Sequence, residues 1–151
     1  MFFLFQRVQQ LADIERDQAG SISDFMIAKD PIFASLNLDK EEVALYQQVY
    51  ESLSVDAPTP DLMIYLQAPV PVLQQRIKKR SIKYEQRIDA KYLQNLSDAY
   101  TEFFHRYDSS PLLIVNAAEF NPIENESDYQ SLLVQIEQTT AGKHFFNPLV
   151  S

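Results

Sequence analysis

Apolar residues recur at helical spacing over five stretches of the chain and gather into solid runs over two. "FFLFQRVQQLADIERDQ" (2–18) carries apolar side chains at Phe2, Phe3, Phe5, Val8, Leu11, Ala12 and Ile14, which predicts an opening helix ending before Gly20. "LDKEEVALYQQVYESL" predicts a second helix with Val43, Leu45, Tyr46, Val49, Tyr50 and Leu53 as its apolar stripe. Asp39, followed three residues later by Glu42, is a capping-box pattern at its start. "VPVLQQRIKKR" begins a third helix, with Pro71 in the first turn, where a missing N–H is tolerated. "IDAKYLQNLSDAYTEFFHRY" is a strongly amphipathic helix capped by Asp89, apolar at Tyr92, Leu93, Leu96, Tyr100, Phe103 and Phe104. "NESDYQSLLVQIEQ" predicts the last helix, and "GKHFFNPLVS" follows as a tail.

The solid runs are "DLMIYLQA" (61–68), flanked by Pro60 and Pro69, and "LLIVNAA" (112–118), which follows Pro111. Such runs suit strands covered on both faces, as in a parallel sheet. "SISDF" (21–25) is a third, shorter strand candidate, and "DAPTP" (56–60) is a turn or loop. Buried strands alternating with helices predict an α/β fold with parallel pairing, in one domain over residues 1–151. Three short strands make a thin sheet for so many helices.

Charge narrows the possible functions. The formal net charge is −8 and the pI is about 4.7, which opposes any general affinity for nucleic acid or an anionic membrane. No run approaches a membrane span, and "MFFLF" lacks the basic start and length of a signal peptide, so the expected location is cytoplasmic. The chain has no cysteine, which excludes disulfides and thiolate metal sites. His105 and His144 stand apart from each other and from carboxylates at ligand spacing, so no metal site is expected. The only glycines are Gly20 and Gly142, so neither GxxxxGK[ST] nor GxGxxG can be written from these residues.

Against this acidic background, "RIKKRSIKYEQR" (76–87) holds six of the thirteen Lys and Arg residues. Arg76, Lys79, Arg80 and Lys83 recur at spacings of three and four and share one face if the helix continues. One reading is a cationic clamp on phosphate oxygens. The other is a solvated helix end whose cations complement the C-terminal dipole. "SISDF" followed by "AKD" sets Asp24, Lys29 and Asp30 just beyond a strand, where open α/β sheets bind ligands, or where ordinary turn chemistry collects polar residues.

Five segments together resemble the bacterial deoxynucleoside kinases of the deoxyadenosine/deoxyguanosine kinase type. They are "FFLFQRVQQL", "SDFMIAKDPIFASLNL", "PDLMIYLQAPVPVLQQRIKKR", "YEQRIDAKYLQNLSDAYTEFF" and "LLIVNAAEFNPIENESDYQSL", in the family's order and covering nearly the whole chain. The resemblance implies a P-loop kinase-like fold, a five-stranded parallel sheet of order 2-3-1-4-5 wrapped by helices. It implies transfer of the γ-phosphoryl group of ATP, with Mg2+, to the 5′-hydroxyl of a purine deoxynucleoside, and a dimeric protein. The basic segment then corresponds to the lid over the phosphates, a role that suits a reaction needing charge neutralisation more than covalent chemistry. By the same resemblance, Arg76 and Arg80 hold ATP's phosphates, and Glu119 and Phe120 border its adenine. Arg7 faces the nucleoside base, Phe33 packs against it, and Glu85 accepts from the sugar 3′-hydroxyl. Arg80 and Lys83 are the lid residues nearest to catalysis, with no certain catalytic residue among the 151.

Departures from the family pattern shape the remaining expectations. The family's P-loop, its general-base glutamate and its base-reading glutamine would all lie before Met1. Ile82 stands at the later lid arginine with Lys83 beside it, and Asp24 stands where a phosphate-facing arginine is common. The chain would hold strands 3, 4 and 5 but not the central strand 1, so "SISDF" and "DLMIYLQA" would face an empty slot and favour self-association. The expectation is an N-terminally truncated kinase-like domain, inactive alone, binding ATP only loosely. The alternative is a non-catalytic module that pairs through its open strand edge. Nucleic-acid binding is disfavoured because the surrounding acidity opposes phosphate backbones.

Overall fold

The computed structural model of the chain describes residues 2–16, 20–53, 58–80, 82 and 88–148. The chain divides into two compact units, Met1–Pro58 and Thr59–Ser151.

The first unit is helical: α1 (Phe2–Arg16), a 3-10 turn (Ile27–Lys29), α2 (Asp30–Asn37) and α3 (Lys40–Ser52). Its core gathers Leu4, Ile27, Ala34 and Tyr46, with Val8, Leu11, Leu38, Tyr50 and Leu53 packed around them. Leu4, Val8 and Leu11 lie four and three residues apart, so α1 turns one stripe inward. Among the described side chains of the expected stripe, Phe5 departs from it: Leu4 is fully buried, whereas Phe5 is 49% exposed. At the start of α3 the capping box forms as the sequence predicts. The Asp39 carboxylate accepts from the Glu41 and Glu42 backbone N–H groups at 2.9 Å each, and the Asp39 N–H donates to Glu42 Oε2 at 3.0 Å.

"SISDF" is not a strand. Residues 21–24 are exposed, and the Ser23 hydroxyl donates to the Phe25 carbonyl at 2.9 Å, a local turn bond in place of a ladder. Serine commonly diverts backbone groups in this way, and no described strand is paired with the segment. The short helix α2 went unread in the sequence; Pro31 sits in its first turn, where its fixed φ suits helix entry.

The second unit carries β1 (Met63–Gln67), α4 (Val70–Arg80), α5 (Ala90–Arg106), β2 (Leu112–Asn116), α6 (Glu126–Gln138) and β3 (Lys143–Phe146). The three strands form a parallel sheet of order β1-β2-β3, with Ile64 opposite Leu113, and Leu113 opposite His144. The fold is therefore the expected kinase-like parallel sheet with flanking helices, but one of its strands is not the expected one. The third strand comes from "KHFF" in the presumed tail. Gly142, at φ 70°, turns the chain into β3, and its carbonyl accepts from the Leu112 N–H at 2.9 Å.

β2 lies between two partners and is buried along Leu112–Val115. On one face Leu113 and Val115 join Phe120, Ile64, Leu132, Ile136 and Phe146. On the other, the Tyr65 ring stacks on Phe104 of α5 at 4.4 Å, with Tyr100 edge-on at 6.2 Å. Asp89 caps α5 by accepting from the Tyr92 N–H at 2.7 Å. At the other end of α5, Lys143 Nζ donates to the His105 carbonyl at 2.7 Å, placing a cation on the helix C-terminus. Among the described residues the outer edge of β1 has no strand partner, and Leu66 on that strand is 59% exposed.

This burial contrast predicts unequal losses. Leu113→Ala, at a fully buried site, should cost about 2–5 kcal/mol in urea unfolding. Leu66→Ala should cost less than about 1 kcal/mol, since half of that side chain already meets water.

Candidate functional site

Parallel pairing of β1 and β2 brings their carboxyl ends to one edge, and the basic helix α4 leaves β1 at that edge. The loop that follows β2 is fixed there by its own polar residues. The Asn116 carbonyl Oδ1 accepts from the Ala118 N–H at 3.1 Å, and the Asn121 N–H donates to Asp128 at 2.8 Å. Asn125 then caps α6 by accepting from the Ser127 and Asp128 N–H groups.

Arg76, one turn before the end of α4, donates through Nη2 to the Ala117 carbonyl at 2.5 Å. Lys79 Nζ lies 3.8 Å from Glu124, an exposed pair of little energetic weight. Lys78, Lys79 and Arg80 fill the last turn of α4, where cations complement the helix dipole, and Arg80 is exposed. Arg76 is thus brought onto the segment that holds Glu119 and Phe120. Glu119 is exposed, whereas Phe120 is 5% exposed and packs edge-to-face on Phe146 at 5.9 Å, as a core ring. Ile82 is half-buried. Lys83 and Glu85 lie outside the described residues.

The first unit carries a second polar cluster. Arg7 of α1 forms an ion pair with Asp30, the first residue of α2, and its guanidinium lies over the Phe25 ring at 5.9 Å from the centroid. Asp30 is 8% exposed. Its second oxygen accepts from the Tyr46 hydroxyl of α3 at 2.9 Å. A buried carboxylate requires such partners, since an uncompensated charge away from water is costly. Phe33, one turn after Asp30 on α2, is half-buried, and Asp24 is exposed.

Burial pushes the Tyr46 hydroxyl well above the ordinary tyrosine range, and its hydrogen bond to Asp30 adds to the shift. Burial, then the Asp30 charge, raises Tyr50 as well. Lys29 is half-buried; burial first and the Arg7 charge second lower its pKa, while Asp24 opposes them. The sequence had marked Asp24, Lys29 and Asp30 for lying beyond a strand. Without that strand, Lys29 ends the 3-10 turn and Asp30 opens α2, while Asp24 lies exposed in the loop before them. Tyr46 was read only as an apolar stripe residue. Nothing in its spacing points to Asp30, sixteen residues earlier.

The profile of the deoxynucleoside kinase family matches residues 1–141. The chain belongs to that family. Among deoxynucleoside kinases it is similar to the deoxyguanosine kinase of Bacillus subtilis, 31% identical over 146 residues that cover 91% of this chain and 70% of the relative. It is similar also to the deoxyadenosine kinase of Dictyostelium discoideum, 32% identical over 157 residues, with 94% of this chain and 63% of the relative covered. In three dimensions it is similar to the deoxyadenosine kinase from M. mycoides solved with bound dCTP. That likeness has a TM-score of 0.70 at 25% identity and spans 91% of this chain and 70% of the other. The resemblance read from the five sequence segments is therefore correct at the level of the family.

Three outcomes follow for this deoxynucleoside kinase family member. At least Tyr46, Tyr50 and Tyr65, of eight tyrosines, should ionise above the ordinary range in a tyrosinate absorbance titration. Because their folded pKa values are raised, the stability they carry is present below the ordinary tyrosine pKa. It is lost as pH rises from there toward the folded values. Tyr46→Phe should remove part of that alkaline loss, at a cost of about 1–3 kcal/mol at neutral pH for the stranded Asp30 oxygen. In the second unit, Arg76→Met should speed amide hydrogen exchange across residues 117–120, whereas Lys79→Met should leave it unchanged.

Proposed function

We propose that these residues form the nucleoside-facing and lid-facing part of a deoxynucleoside kinase. The reaction is ATP-dependent phosphorylation of the 5′-hydroxyl of a purine deoxynucleoside. The observation that carries this reading is the cationic end of α4 at the carboxyl edge of the β1-β2 pair, with Arg76 bonded to the loop after β2. A parallel sheet concentrates ligand chemistry at that edge, and phosphoryl transfer draws on clustered cations.

In this reading Arg80 and Lys83 close on the β- and γ-phosphates, where charge builds up in the transition state. Arg76 keeps one guanidinium arm on Ala117 and sets α4 against the segment of Glu119 and Phe120, which borders the adenine of ATP. In the first unit Arg7 and Phe33 face the nucleoside base, and Glu85 accepts from the sugar 3′-hydroxyl. Among the described residues no three His, Asp or Glu side chains come together as a cation site, so these residues offer magnesium no cage of their own. The metal belongs with the ATP phosphates, as is usual for Mg2+. The place of action is the cytoplasm; among the described residues no helix is long and apolar enough to cross a membrane.

The 151 residues do not turn over by themselves, because they include no glycine-rich loop to cradle a triphosphate. A second reading is favoured by one observation, the outer edge of β1, which has no strand partner among the described residues and carries the exposed Leu66. Such an edge is a template for pairing with another chain, and a non-catalytic module that associates through it, as a dimer or with a partner, would use it so.

An ATP-dependent phosphorylation assay with deoxyadenosine and deoxyguanosine separates these readings. The 151-residue chain alone should show no transfer. A chimera carrying the N-terminal segment of the Bacillus subtilis deoxyguanosine kinase ahead of it should gain transfer. Turnover by the chain alone would refute its inactivity, and a folded but silent chimera would favour the non-catalytic module.

A further inference from the structure

We propose that Phe146, on the edge strand β3, is a positioning residue for ATP: its ring fixes Phe120 and, through it, the Ala117–Phe120 segment. This rests on the reading above that this segment borders the adenine of ATP.

The segment is a short bridge between two anchors. At its start Ala117 is 4% exposed, and both of its backbone groups are engaged. Its N–H donates to the Gln67 carbonyl of β1 at 2.7 Å, and its carbonyl accepts from Arg76 of α4 at 2.5 Å. The next N–H, that of Ala118, donates to the Asn116 side chain at 3.1 Å. At the other end Phe120 is buried in the cluster of Leu113, Val115, Leu132 and Ile136. The Asn121 N–H follows it with a bond to Asp128 of α6 at 2.8 Å. Glu119 lies between the anchors and is exposed.

The two anchors differ in kind. Hydrogen bonds are directional, so those at Ala117 set both place and orientation. A buried side chain is held only by the shape around it. Aliphatic neighbours give Phe120 contact area but little preference for the plane of its ring. Phe146 supplies that preference. The two rings meet edge-to-face, with centroids 5.9 Å apart and planes at 84°, the arrangement that aromatic quadrupoles favour. Among the described residues no other aromatic ring pairs with Phe120. Phe146 reaches it because parallel pairing sets Phe146 opposite Val115, in the same cluster. Phe145, one residue earlier, alternates to the other face of the sheet and is 70% exposed.

Its place in the sheet separates Phe146 from the rest of the cluster. Leu113 and Val115 are fully buried in the central strand, and truncating either would loosen the whole sheet. Phe146 is half-buried on an edge strand, so its truncation leaves β1 and β2 paired while Phe120 gains room to shift. A shifted Phe120 moves Glu119 with it. ATP then binds only the fraction of molecules in which the segment is seated, and its apparent affinity falls by that fraction.

Titrations of the whole chain with ATP and with inorganic tripolyphosphate, followed by backbone amide NMR, test this. Phe146→Ala should weaken ATP binding at least about threefold, the scale of one edge-to-face aromatic contact. Phe146→Leu should do the same and serves as the second variant should the first not fold. Tripolyphosphate carries no base and should bind the unaltered chain and both variants alike, which a general loosening of the second unit would not give. Phe146→Tyr, which keeps the ring, and Phe145→Ala should both bind ATP as the unaltered chain does. ATP binding untouched by Phe146→Ala and Phe146→Leu, or equal losses for ATP and tripolyphosphate, overturns the inference and leaves the ATP reading standing. Absence of binding by either probe to the unaltered chain overturns the ATP reading and this inference with it.

Discussion

Burial of β2 on both faces and both edges is the constraint on which the second unit depends. Leu112, Leu113, Ile114 and Val115 have little contact with water, and their backbone groups are committed to parallel ladders with β1 and β3. Parallel pairing forces a crossover between strands, and the crossovers supply α4, α5 and α6. It also aligns the carboxyl ends of β1 and β2. The start of the cationic helix and the start of the Ala117–Phe120 segment then fall at one edge without any specific attraction between them. The Arg76 bond to Ala117 refines a meeting that strand direction has already arranged.

The first unit is organised around a different cost, that of a buried carboxylate. Asp30 at the start of α2 is compensated by a guanidinium from α1 and a hydroxyl from α3, so a single charge ties three helices together.

Much of this was legible in the sequence because local chemistry and tertiary role agree. The Asp39–Glu42 box, the Asp89 cap and the aromatic stripe of α5 announce themselves at fixed spacing. The run at 112–118 is apolar because β2 is covered on both faces, whereas the run at 61–68 packs Ile64 and Tyr65 inward and leaves Leu66 exposed. Two misreadings share a cause. "SISDF" has strand-like content, but Ser23 satisfies its backbone locally. "KHFF" has little to mark it until β2 offers it an edge. Strand identity at these two sites is decided by the neighbour and not by the segment. The Asp30–Tyr46 contact was illegible for a similar reason, since helix packing and not sequence spacing brings the pair together. The basic run "RIKKR" was legible as charge; its placement at the carboxyl edge is what gives that charge a direction.

We propose a division of labour in which α4 and the loop after β2 meet ATP and the helices around Arg7 meet the nucleoside. Backbone amide shift mapping of the whole chain, with ATP and then with deoxyguanosine, tests it most directly. The account predicts that ATP perturbs the last turn of α4 and residues 117–120, and that deoxyguanosine perturbs residues around Arg7, Lys29 and Phe33. If ATP leaves α4 unperturbed, or both ligands move the same residues, the account is wrong.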